Sequence, residues 1–570
     1  MTHAGSIRAR RPRRALLAVA LLAVTGALAA CDGIPTAGPV GTGDGAVSEP
    51  GPVVLLAYGP PTDANPEEIV RGFLQAEAAG NTDNFAVARE YLTGSAQSSW
   101  DPHQQVVVYS SRGTPQISTP TESEVSLTYP WEATVDANGQ YSEAAPGAKW
   151  EGTFDLQKDS HGQWRISGLP DGVLVSEPNF VSVYRSTPIY FLSKDHTFLV
   201  PEIRWFPVRN AVTAAVNALL TGPSQLLRDA VDTAFPDGVT QTVNGVTVDN
   251  DGTALVDVSG PVLTADAGQR RLMRTQLDQT LMRLPGVRSI QLSVAGVPMQ
   301  SVAEASLTVD PPPGTPPIAI QGDQLVTLSG TQTEPVKGVG SLAGLDARGV
   351  AQSDDGKLIA LLSGSNRLVL APTAEKGAVT LLTGIRLLAP SVDRFGWIWT
   401  GSATVGSPVL AVLADGTPAT VTADWLEDRA VESIRVSHDG ARIAVVSTGQ
   451  NGVAVDLAAV VRDGSGRPVR LDAPLRVGAA LVSASSVVWV DEQTLAVLGR
   501  VTGSTSSTVG IVPIGGPTRM LPVLDGVTSL SAGKGERSIY ARTADGSVFS
   551  LQGLSWRKVI DGISVPVYPG

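Results

Sequence analysis

Cysteine is almost missing from this chain, which has 570 residues and a single thiol, at Cys31. One thiol excludes an internal disulfide, and it excludes a thiolate metal site or a dithiol redox site. After residue 30 there is no run of eighteen uninterrupted apolar residues, so the sequence predicts no transmembrane helix beyond that point. Aromatic residues are scarce, whereas 60 glycines and 40 prolines separate short runs rich in Val, Ala, Ser and Thr. This pattern favours strands over helices.

Basic residues are also fewer than acidic ones. The net charge is −12, and it becomes −17 without residues 1–30, because that segment contains five arginines and no acid. An acidic body of this kind offers no electrostatic footprint for nucleic acid and would be repelled by anionic lipid headgroups. Attachment to a membrane therefore has to come from a dedicated anchor.

The first thirty residues have the pattern of an export signal peptide. The five arginines, between positions 8 and 14, form a basic head, and residues 15–30 are Ala, Leu and Val with one Thr and one Gly. Sixteen residues of helix extend only ~24 Å, which is too short to span a bilayer.

Cys31 directly follows this segment, in the context Leu28-Ala29-Ala30-Cys31, which resembles the lipobox of bacterial lipoproteins. The resemblance implies cleavage before Cys31 and a diacylglyceryl group on its thiol, and it leaves open whether an acyl chain such as palmitate is added to the new amino terminus. Two or three acyl chains, at ~0.8 kcal/mol per buried methylene, give durable anchoring. We therefore predict a protein anchored in the lipid bilayer, on the extracytoplasmic face of the cell membrane. The alternative is an ordinary secreted protein with a free thiol.

Two stretches of low complexity divide the rest of the chain. Residues 31–62 are dominated by Gly, Pro, Thr and Ala, which is typical of a tether. Residues 310–317 form a Pro-rich linker that can join neither a helix nor a central strand. We therefore predict three folded parts, at 63–186, 187–309 and 318–570.

Residues 63–186 have the pattern of an α+β domain. Asn65 and Pro66, followed by two acids, predict a helix start, and a second short helix is expected at 84–92. Two helices followed by a curved antiparallel sheet resemble the cone of NTF2-like domains, a fold that can hold a ligand. The expected strands are 105–110, 124–129, 149–157 and 163–169.

Residues 187–309 alternate strands and helices in a distinctive order. Helices are expected at 210–220 and 267–284. Strand, helix, hairpin, helix and strand resemble the GerMN domain of sporulation, germination and envelope proteins. The sequences Leu-Leu-Thr-Gly-Pro (219–223) and Leu-Pro-Gly-Val (284–287) match that family at both helix ends. The expected strands are 189–192, 197–204, 246–248, 254–258 and 289–294.

The GerMN resemblance implies no catalytic residues. The second expected helix nevertheless contains four arginines, which could grip an anionic wall polymer. We favour the interpretation that they form the solvated face of an amphipathic helix. These residues are Arg270, Arg271, Arg274 and Arg283.

Residues 318–570 contain a recurring phrase in place of helical periodicity. The turn at 353–356, Ser-Asp-Asp-Gly, returns at 437–440 as Ser-His-Asp-Gly, and weaker echoes occur near 393–399, 488–497 and 533–540. Turns about 40 to 52 residues apart suit four-stranded blades. The phrase resembles the signature of TolB-like and WD-type β-propellers, and the length allows five or six blades, or seven short ones. A β-sandwich repeat is the alternative.

No catalytic motif stands out. The Ser-His-Asp run at 437–439 contains three triad residue types, but its sister turn has no histidine, and adjacency in sequence does not produce triad geometry. Asp249 begins a turn that faintly resembles a calcium loop without its downstream Glu. His103 and His161 stand in turn-like contexts and are interpreted as surface residues. We predict no catalytic residue, cofactor or metal site, with a propeller glycan hydrolase as a less favoured alternative.

The ordered set of lipobox, tether, NTF2-like domain, GerMN-like domain and propeller resembles the LpqB family of actinobacterial lipoproteins. The resemblance implies a partner, the extracytoplasmic region of the Mtr sensor histidine kinase, whose two-component signalling governs cell division and the cell envelope. It implies no role for an individual residue beyond Cys31. We therefore predict a membrane-tethered adaptor of that kinase. A lipoprotein that binds a wall glycan such as peptidoglycan, or a small ligand, is the alternative.

Overall fold

Strands dominate the part of the chain that the computed structural model describes, namely His3 and residues 56–80, 84–113, 115–242, 245–300 and 302–570. In these residues the strands form nine sheets, and α-helices occur only before residue 282. None of the helices in these ranges is long and apolar enough to cross a membrane. This distribution agrees with the strand-rich composition of the sequence.

The first helix, α1 (Pro66–Ala79), begins where the sequence predicts. The Asn65 side chain accepts a hydrogen bond from the Glu68 N–H at 3.0 Å, and the Glu68 carboxylate accepts one from the Asn65 N–H at 2.9 Å. This reciprocal pair is a capping box, which satisfies N–H groups that have no partner inside the helix. The expected second helix is confirmed as the shorter α2 (Ala86–Glu90), and a further brief helix, α3 (Ala96–Ser99), was not predicted.

One seven-stranded sheet completes the first part. Its strands are β1 (Gln105–Tyr109), β2 (Gln116–Thr121), β3 (Glu124–Asp136), β4 (Tyr141–Glu143), β5 (Lys149–Lys158), β6 (Trp164–Gly168) and β7 (Val173–Ser176). The order is β6-β5-β3-β1-β7, with β2 and β4 paired to β3, and all pairs are antiparallel except β1 with β7. A β-bulge between Val108 and Tyr109 bends the sheet. The expected arrangement of helices followed by a curved, mainly antiparallel sheet is confirmed, although β2, β4 and β7 were not predicted.

The interior of this part contains a buried acid. Glu77, on α1, accepts a hydrogen bond from the Leu174 N–H at 3.0 Å. Aromatic side chains fill the space nearby, and the ring of Phe73 meets Trp100 and Phe154 edge-on, with centroids 5.2 and 6.2 Å away. Because burial removes the carboxylate from water, the pKa of Glu77 lies well above its ordinary value, and the backbone hydrogen bond offsets this only in part.

The second part has the predicted order of strands and helices. Its strands are β8 (Tyr184–Ser193), β9 (Leu199–Pro207), β10 (Val231–Asp232), β11 (Thr247–Val248), β12 (Thr253–Val258), β13 (Ser289–Val294) and β14 (Val297–Pro298). They form the sheets β10-β8-β9 and β11-β12-β13-β14. Helix α4 (Glu177–Val183) leads into this part, and α5 (Ala211–Thr221) and α6 (Ala267–Leu281) pack on β8. The first strand starts earlier than expected, α6 ends earlier, and the short β10 and β14 were not predicted.

The third part consists of six antiparallel sheets that follow one another along the chain. Neighbouring strands are consecutive in sequence almost throughout, as in propeller blades. The first sheet contains β15 (Ile318–Gln321), β16 (Gln324–Ser329) and β17 (Gln332–Pro335), and the second contains β18 (Ala347–Gln352), β19 (Ile359–Ser363), β20 (Arg367–Leu370) and β21 (Val379–Thr383). The third contains β22 (Ser391–Val392), β23 (Ile398–Gly401), β24 (Val409–Val412) and β25 (Pro418–Val421), and the fourth contains β26 (Ala430–Val436), β27 (Arg442–Gly449), β28 (Gly452–Arg462), β29 (Pro468–Leu471) and β30 (Leu475–Val477). The fifth contains β31 (Leu481–Asp491), β32 (Thr494–Val501), β33 (Thr508–Pro513) and β34 (Arg519–Met520), and the sixth contains β35 (Val527–Ser531), β36 (Tyr540–Thr543), β37 (Ser547–Gln552) and β38 (Ser555–Asp561).

The three-stranded first sheet is completed by the residues that follow the sixth. The Ile318 N–H donates to the Val567 carbonyl at 2.9 Å, and the Val567 N–H donates back at 2.7 Å. The Ser564 N–H adds a bond to the Ile320 carbonyl at 2.8 Å. Because this segment comes directly after β38, its pairing with β15 joins the last sheet to the first. The six sheets therefore close into a ring, and their number lies within the range expected from the sequence.

The recurring phrase marks one place in successive sheets, the turn between the first and second strands. In the second sheet the Ser353 hydroxyl donates to Asp355 at 2.7 Å, and in the fourth the Ser437 hydroxyl donates to Asp439 at 2.6 Å. The glycine after each aspartate has a positive φ, 69° and 73°, a conformation that glycine adopts at little cost. The period of the phrase is therefore the period of the sheets.

Polar contacts join the second part to the ring. Arg394 donates to both carboxylate oxygens of Asp195, at 2.7 and 2.8 Å. Burial acts to raise the pKa of Asp195, but hydrogen bonds from Arg394, Ser193 and Thr197 hold that pKa well below its ordinary value. The Tyr190 hydroxyl donates to the Glu492 carboxylate at 2.6 Å. These side chains lie on the face of the ring that carries the recurring turns.

A buried ion pair lies in the same interface. Arg442 is 1 % exposed and donates to Asp439 through Nη2 at 2.5 Å and Nε at 3.2 Å. Its Nη1 donates to the carbonyl of Pro201, in the second part, at 3.3 Å. Ala441 and Ala459 of the ring belong to the same apolar core as α5 and α6. The second part and the ring therefore share one core.

Glu143 connects the first part to the ring. Its carboxylate accepts from the Thr518 N–H at 2.8 Å, from the Thr518 hydroxyl at 2.7 Å and from the Ala480 N–H at 3.3 Å. The Gln140 side chain also donates to Glu202 of the second part at 3.1 Å. The described residues from 56 onward therefore form one compact unit.

Replacing Glu77 by Gln should stabilise the protein at neutral pH. Glutamine keeps an acceptor for the Leu174 N–H and removes a carboxyl group whose ionised form is penalised by burial. Because the folded-state pKa is raised, the parent loses stability as the pH rises from about 4.3, the ordinary Glu value, through the folded-state value. We expect a stabilisation of ~1 kcal/mol at pH 7, which raises the thermal midpoint of a cooperative unit of this size by about 1 °C.

Circular dichroism at several pH values measures this effect. The difference in thermal midpoint between E77Q and the parent should disappear near pH 4. The exposed control Glu151→Gln should have the same midpoint as the parent. An unchanged or lower midpoint for E77Q at pH 7 would contradict the account of Glu77.

Replacing Asp439 by Asn should destabilise the protein strongly. The substitution leaves the buried Arg442 guanidinium without its counter-charge, which costs about 3–5 kcal/mol. Burial acts to raise the pKa of Asp439, but Arg442 and Ser437 outweigh it and lower that pKa. The contribution of Asp439 is therefore present above about pH 3.9, the ordinary Asp value, and is lost as the pH falls.

Calorimetric unfolding should show a clearly lower midpoint for D439N than for the parent at pH 7. The difference between the two midpoints should be smaller at pH 3. Asp463→Asn, in an exposed turn of the same sheet, is the matched control and should leave the midpoint nearly unchanged. Equal midpoints for D439N and the parent would show that the ion pair does not stabilise the fold.

Candidate functional site

The residues predicted to carry the lipid, Cys31 with Leu28, Ala29 and Ala30, lie outside the described residues. The same holds for the rest of the expected signal peptide except His3, and for residues 31–55 of the expected tether. The lipidation site therefore remains a prediction of the sequence.

The two histidines of the first part occupy exposed turns, as expected. The His103 N–H donates to Asp101 at 2.9 Å, and the His161 N–H donates to Asp159 at 2.8 Å, so each residue is held by its backbone. The His103 ring also lies edge-on to Phe85, with centroids 5.5 Å apart. Across the described ranges there is no group of three or more His, Cys, Asp or Glu side chains placed to bind a metal.

The Ser-His-Asp run does not form a triad. The Ser437 hydroxyl donates to Asp439, and the aspartate in turn accepts from Arg442, so no hydrogen bond links His438 to either residue. Asp249 is also structural, because its carboxylate accepts from the N–H groups of Asp251 and Thr253 at 3.0 and 2.8 Å. Both runs are therefore turns, in agreement with the sequence analysis.

The arginines of α6 are only partly a solvated face. Arg271 and Arg283 are exposed, as expected. Arg274 is partly buried instead, where it donates to Asp278 at 2.5 Å and to the Ile290 carbonyl at 2.9 Å. The four side chains therefore do not form one free basic surface.

A central cavity of about 570 Å³ lies at the ring axis. It is lined by the first strands of four sheets, β18, β26, β31 and β35, and by the residues that follow β38. A ring of sheets places its first strands innermost, so this cavity is the centre of the propeller. Its volume is typical of sites that bind small molecules.

One end of the central cavity reaches the interface with the second part. His438 and Trp489 line the cavity, and they also line a crevice together with Phe198 and Leu199 of the second part. Gly570 packs against the His438 ring at this end. The second part therefore lies beside one mouth of the cavity.

Sequence reasoning singled out none of the arginines that line this cavity, which are Arg348, Arg435 and Arg542. A signal was present for Arg435, because it interrupts an apolar strand just before a recurring turn. Arginine is rarely found in a strand buried on both faces. Its role becomes visible only when the closed ring shows which strands face the axis.

Family comparisons divide the chain into three matched regions. Residues 59–181 match the family described as "Lipoprotein LpqB, N-terminal domain", and residues 323–569 match "Lipoprotein LpqB beta-propeller domain". Residues 188–300 match "Sporulation and spore germination". The resemblances inferred from the sequence for the GerMN-like part and the propeller are thereby confirmed.

Similar solved structures include the first GerMN domain of the sporulation protein GerM from Bacillus subtilis, with 18% identity and a TM-score of 0.19. This match covers 22% of the present chain and 94% of that one. A chain from the nidogen/laminin complex has 11% identity and a TM-score of 0.35, covering 44% and 97%. Similarity at this level supports no conclusion about function.

Curated relatives match over nearly the whole length. Lipoprotein LpqB of Thermobifida fusca (strain YX) is 30% identical, covering 98% of this chain and 99% of the relative. Lipoprotein LpqB of Streptomyces coelicolor is 29% identical, covering 99% and 100%. With both LpqB domain families also matched, the chain belongs to the LpqB family of lipoproteins.

Proposed function

We propose that this protein is a lipid-anchored adaptor of a sensor histidine kinase, acting on the extracytoplasmic face of the membrane. The observation that carries the proposal is the match to proteins named lipoprotein over 98% of the chain, combined with the lipobox-like sequence that ends at Cys31. The kinase of the Mtr system is the proposed partner, as the family resemblance implies. Peptidoglycan is the alternative partner.

The folded body suits a binding role. Its three parts are joined by the Arg394–Asp195 contact, by the buried Arg442–Asp439 pair and by the contacts of Glu143. Such a body presents fixed surfaces to a partner, because the relative positions of the parts are set by buried contacts. The roles found for Ser437, Asp439 and Asp249 are structural, which favours binding over catalysis.

The anchor would act through local concentration. Confinement to the bilayer turns binding to a membrane-embedded partner into a nearly intramolecular event, which raises occupancy without any new contact. If the body binds one conformation of the kinase more tightly, that difference in affinity sets the signalling bias. A tenfold difference corresponds to about 1.4 kcal/mol.

Replacing Cys31 by Ala should abolish attachment and function. Without a thiol there is no acceptor for the diacylglyceryl group, so the protein should move from the membrane fraction to the soluble fraction, and it should fail to complement a deletion strain. Thermal unfolding of the secreted variant should match that of the parent, because the folded body is unchanged. Full complementation by a soluble C31A protein would contradict the proposed tether.

The partner is tested by comparing two binding assays. The purified body should be retained by the immobilised outer region of the Mtr kinase, and it should not sediment with purified peptidoglycan. The C31A variant is used as the purified body in both assays, since it has the same folded parts without the lipid. Sedimentation with peptidoglycan and no retention by the kinase region would overturn the adaptor proposal in favour of a wall-binding lipoprotein.

A further inference from the structure

The central cavity differs from the rest of this acidic protein in its charge. Among the described side chains that line it there are three arginines and a histidine, and there is neither aspartate nor glutamate. The whole chain, in contrast, has a net charge of −12. An excess of cations in an enclosed space with low-dielectric walls raises the local concentration of anions.

Arg435 is the centre of this charge. It is partly buried on the inner strand β26, and its one hydrogen bond within the protein goes from Nη1 to the carbonyl of Ile434 at 2.7 Å. Burial alone lowers its pKa to about 10, so the guanidinium is still charged at neutral pH. Among the residues that the structure describes, no carboxylate forms an ion pair with Arg435, and its remaining N–H groups are available to a ligand.

Two other buried arginines of the ring, Arg442 and Arg462, are paired with carboxylates. Arg442 pairs with Asp439 at 2.5 Å, and Arg462 pairs with Asp393 at 2.6 Å. This is the usual arrangement, because a charge removed from water is costly unless it has a counter-charge. Arg435 departs from that arrangement, and it does so where the ring leaves an open space.

Further donors line the same space. Arg542, on β36, donates from its Nε to the Ile563 carbonyl at 2.9 Å, and no described acidic residue forms an ion pair with it. The hydroxyls of Ser486 and Ser529 also line the cavity. Arg348 contributes less, because it is exposed and paired with Asp346 at 3.0 Å. Gly570 lines the cavity as well, and its carboxylate forms no ion pair with Arg435 or Arg542.

We propose that the central cavity of the ring binds a small organic anion through the guanidinium of Arg435, with Arg542 as a second cationic contact. A planar guanidinium matches the two oxygens of a carboxylate or phosphate group. The volume of about 570 Å³ is far more than one inorganic ion occupies, so the ligand is an organic molecule that carries such a group. This site is independent of the proposed kinase partner.

The test is calorimetric titration of the full chain, purified in dodecyl maltoside, with four probes: citrate, glucose 6-phosphate, inorganic phosphate and glucose. Citrate or glucose 6-phosphate should bind saturably and more tightly than inorganic phosphate, and glucose should not bind. The tighter of the two organic probes identifies the group as carboxylate or phosphate. Trp489 lines the cavity, so its fluorescence gives an independent readout.

Arg435→Gln should weaken binding at least about tenfold, which corresponds to about 1.4 kcal/mol. Arg557→Gln is the matched control, because Arg557 lies exposed on the outer strand β38, and it should leave the affinity unchanged. Arg435→Lys keeps the charge without the planar fork and should give an intermediate loss. Circular dichroism verifies folding, and R542Q replaces R435Q if the latter does not fold.

Three results with the parent and R435Q would overturn the proposal, and a fourth concerns the control. They are the absence of saturable binding of both organic anions up to about 10 mM, equal affinities of the parent and R435Q, and tighter binding of inorganic phosphate than of either organic probe. An equal loss of affinity in R557Q would also overturn it, because binding would then depend on net charge and not on this cavity.

Discussion

The buried ion pair between Arg442 and Asp439 is the constraint on which the arrangement of this protein depends. Both residues belong to a recurring turn of the ring, and Arg442 also donates to the Pro201 carbonyl of the second part. Two charges removed from water are tolerated only with close pairing and further hydrogen bonds. The same guanidinium therefore stabilises the recurring turn of the ring and its interface with the second part.

Apolar packing extends this connection. Ala441 and Ala459 of the ring enter the core formed by α5, α6 and their sheets, and small side chains there let the two backbones approach closely. On the same face, Arg394 binds Asp195 with two hydrogen bonds, and Tyr190 donates to Glu492. The first part is joined to the ring by the hydrogen bonds that Glu143 accepts. The molecule is thus a ring with two smaller domains fixed to it by polar contacts.

Local patterns in the sequence predicted what depends on local physics. The capping residues Asn65 and Glu68 located α1, and the Ser-x-Asp-Gly turns gave the period of the sheets, because a capped helix and a tight turn are determined by a few neighbouring residues. Strand β2 was missed because nearly all its residues are exposed and show no apolar alternation, and the short strand β10 was missed because it exists only through pairing with β8, which lies far earlier in the chain. Completion of the first sheet by Val567 was not predictable for the same reason.

The candidate site could not be predicted from the sequence. Arg435 and Arg542 are more than one hundred residues apart and meet only because the ring closes. The predicted lipid anchor is the opposite case, since Cys31 was inferred from its immediate neighbours alone. A local motif thus predicts the site of attachment, whereas the lining of the central cavity becomes visible only in the folded ring.

The second part and the ring should move as one body, because the buried ion pair joins them. Spin labels at Met282 and Leu554, both exposed, can be introduced as the only thiols in a C31A chain, and double electron–electron resonance then measures the distance between them. We predict a single narrow distance distribution, because the buried ion pair and the shared core fix the interface. A broad distribution or several separate distances would contradict the account.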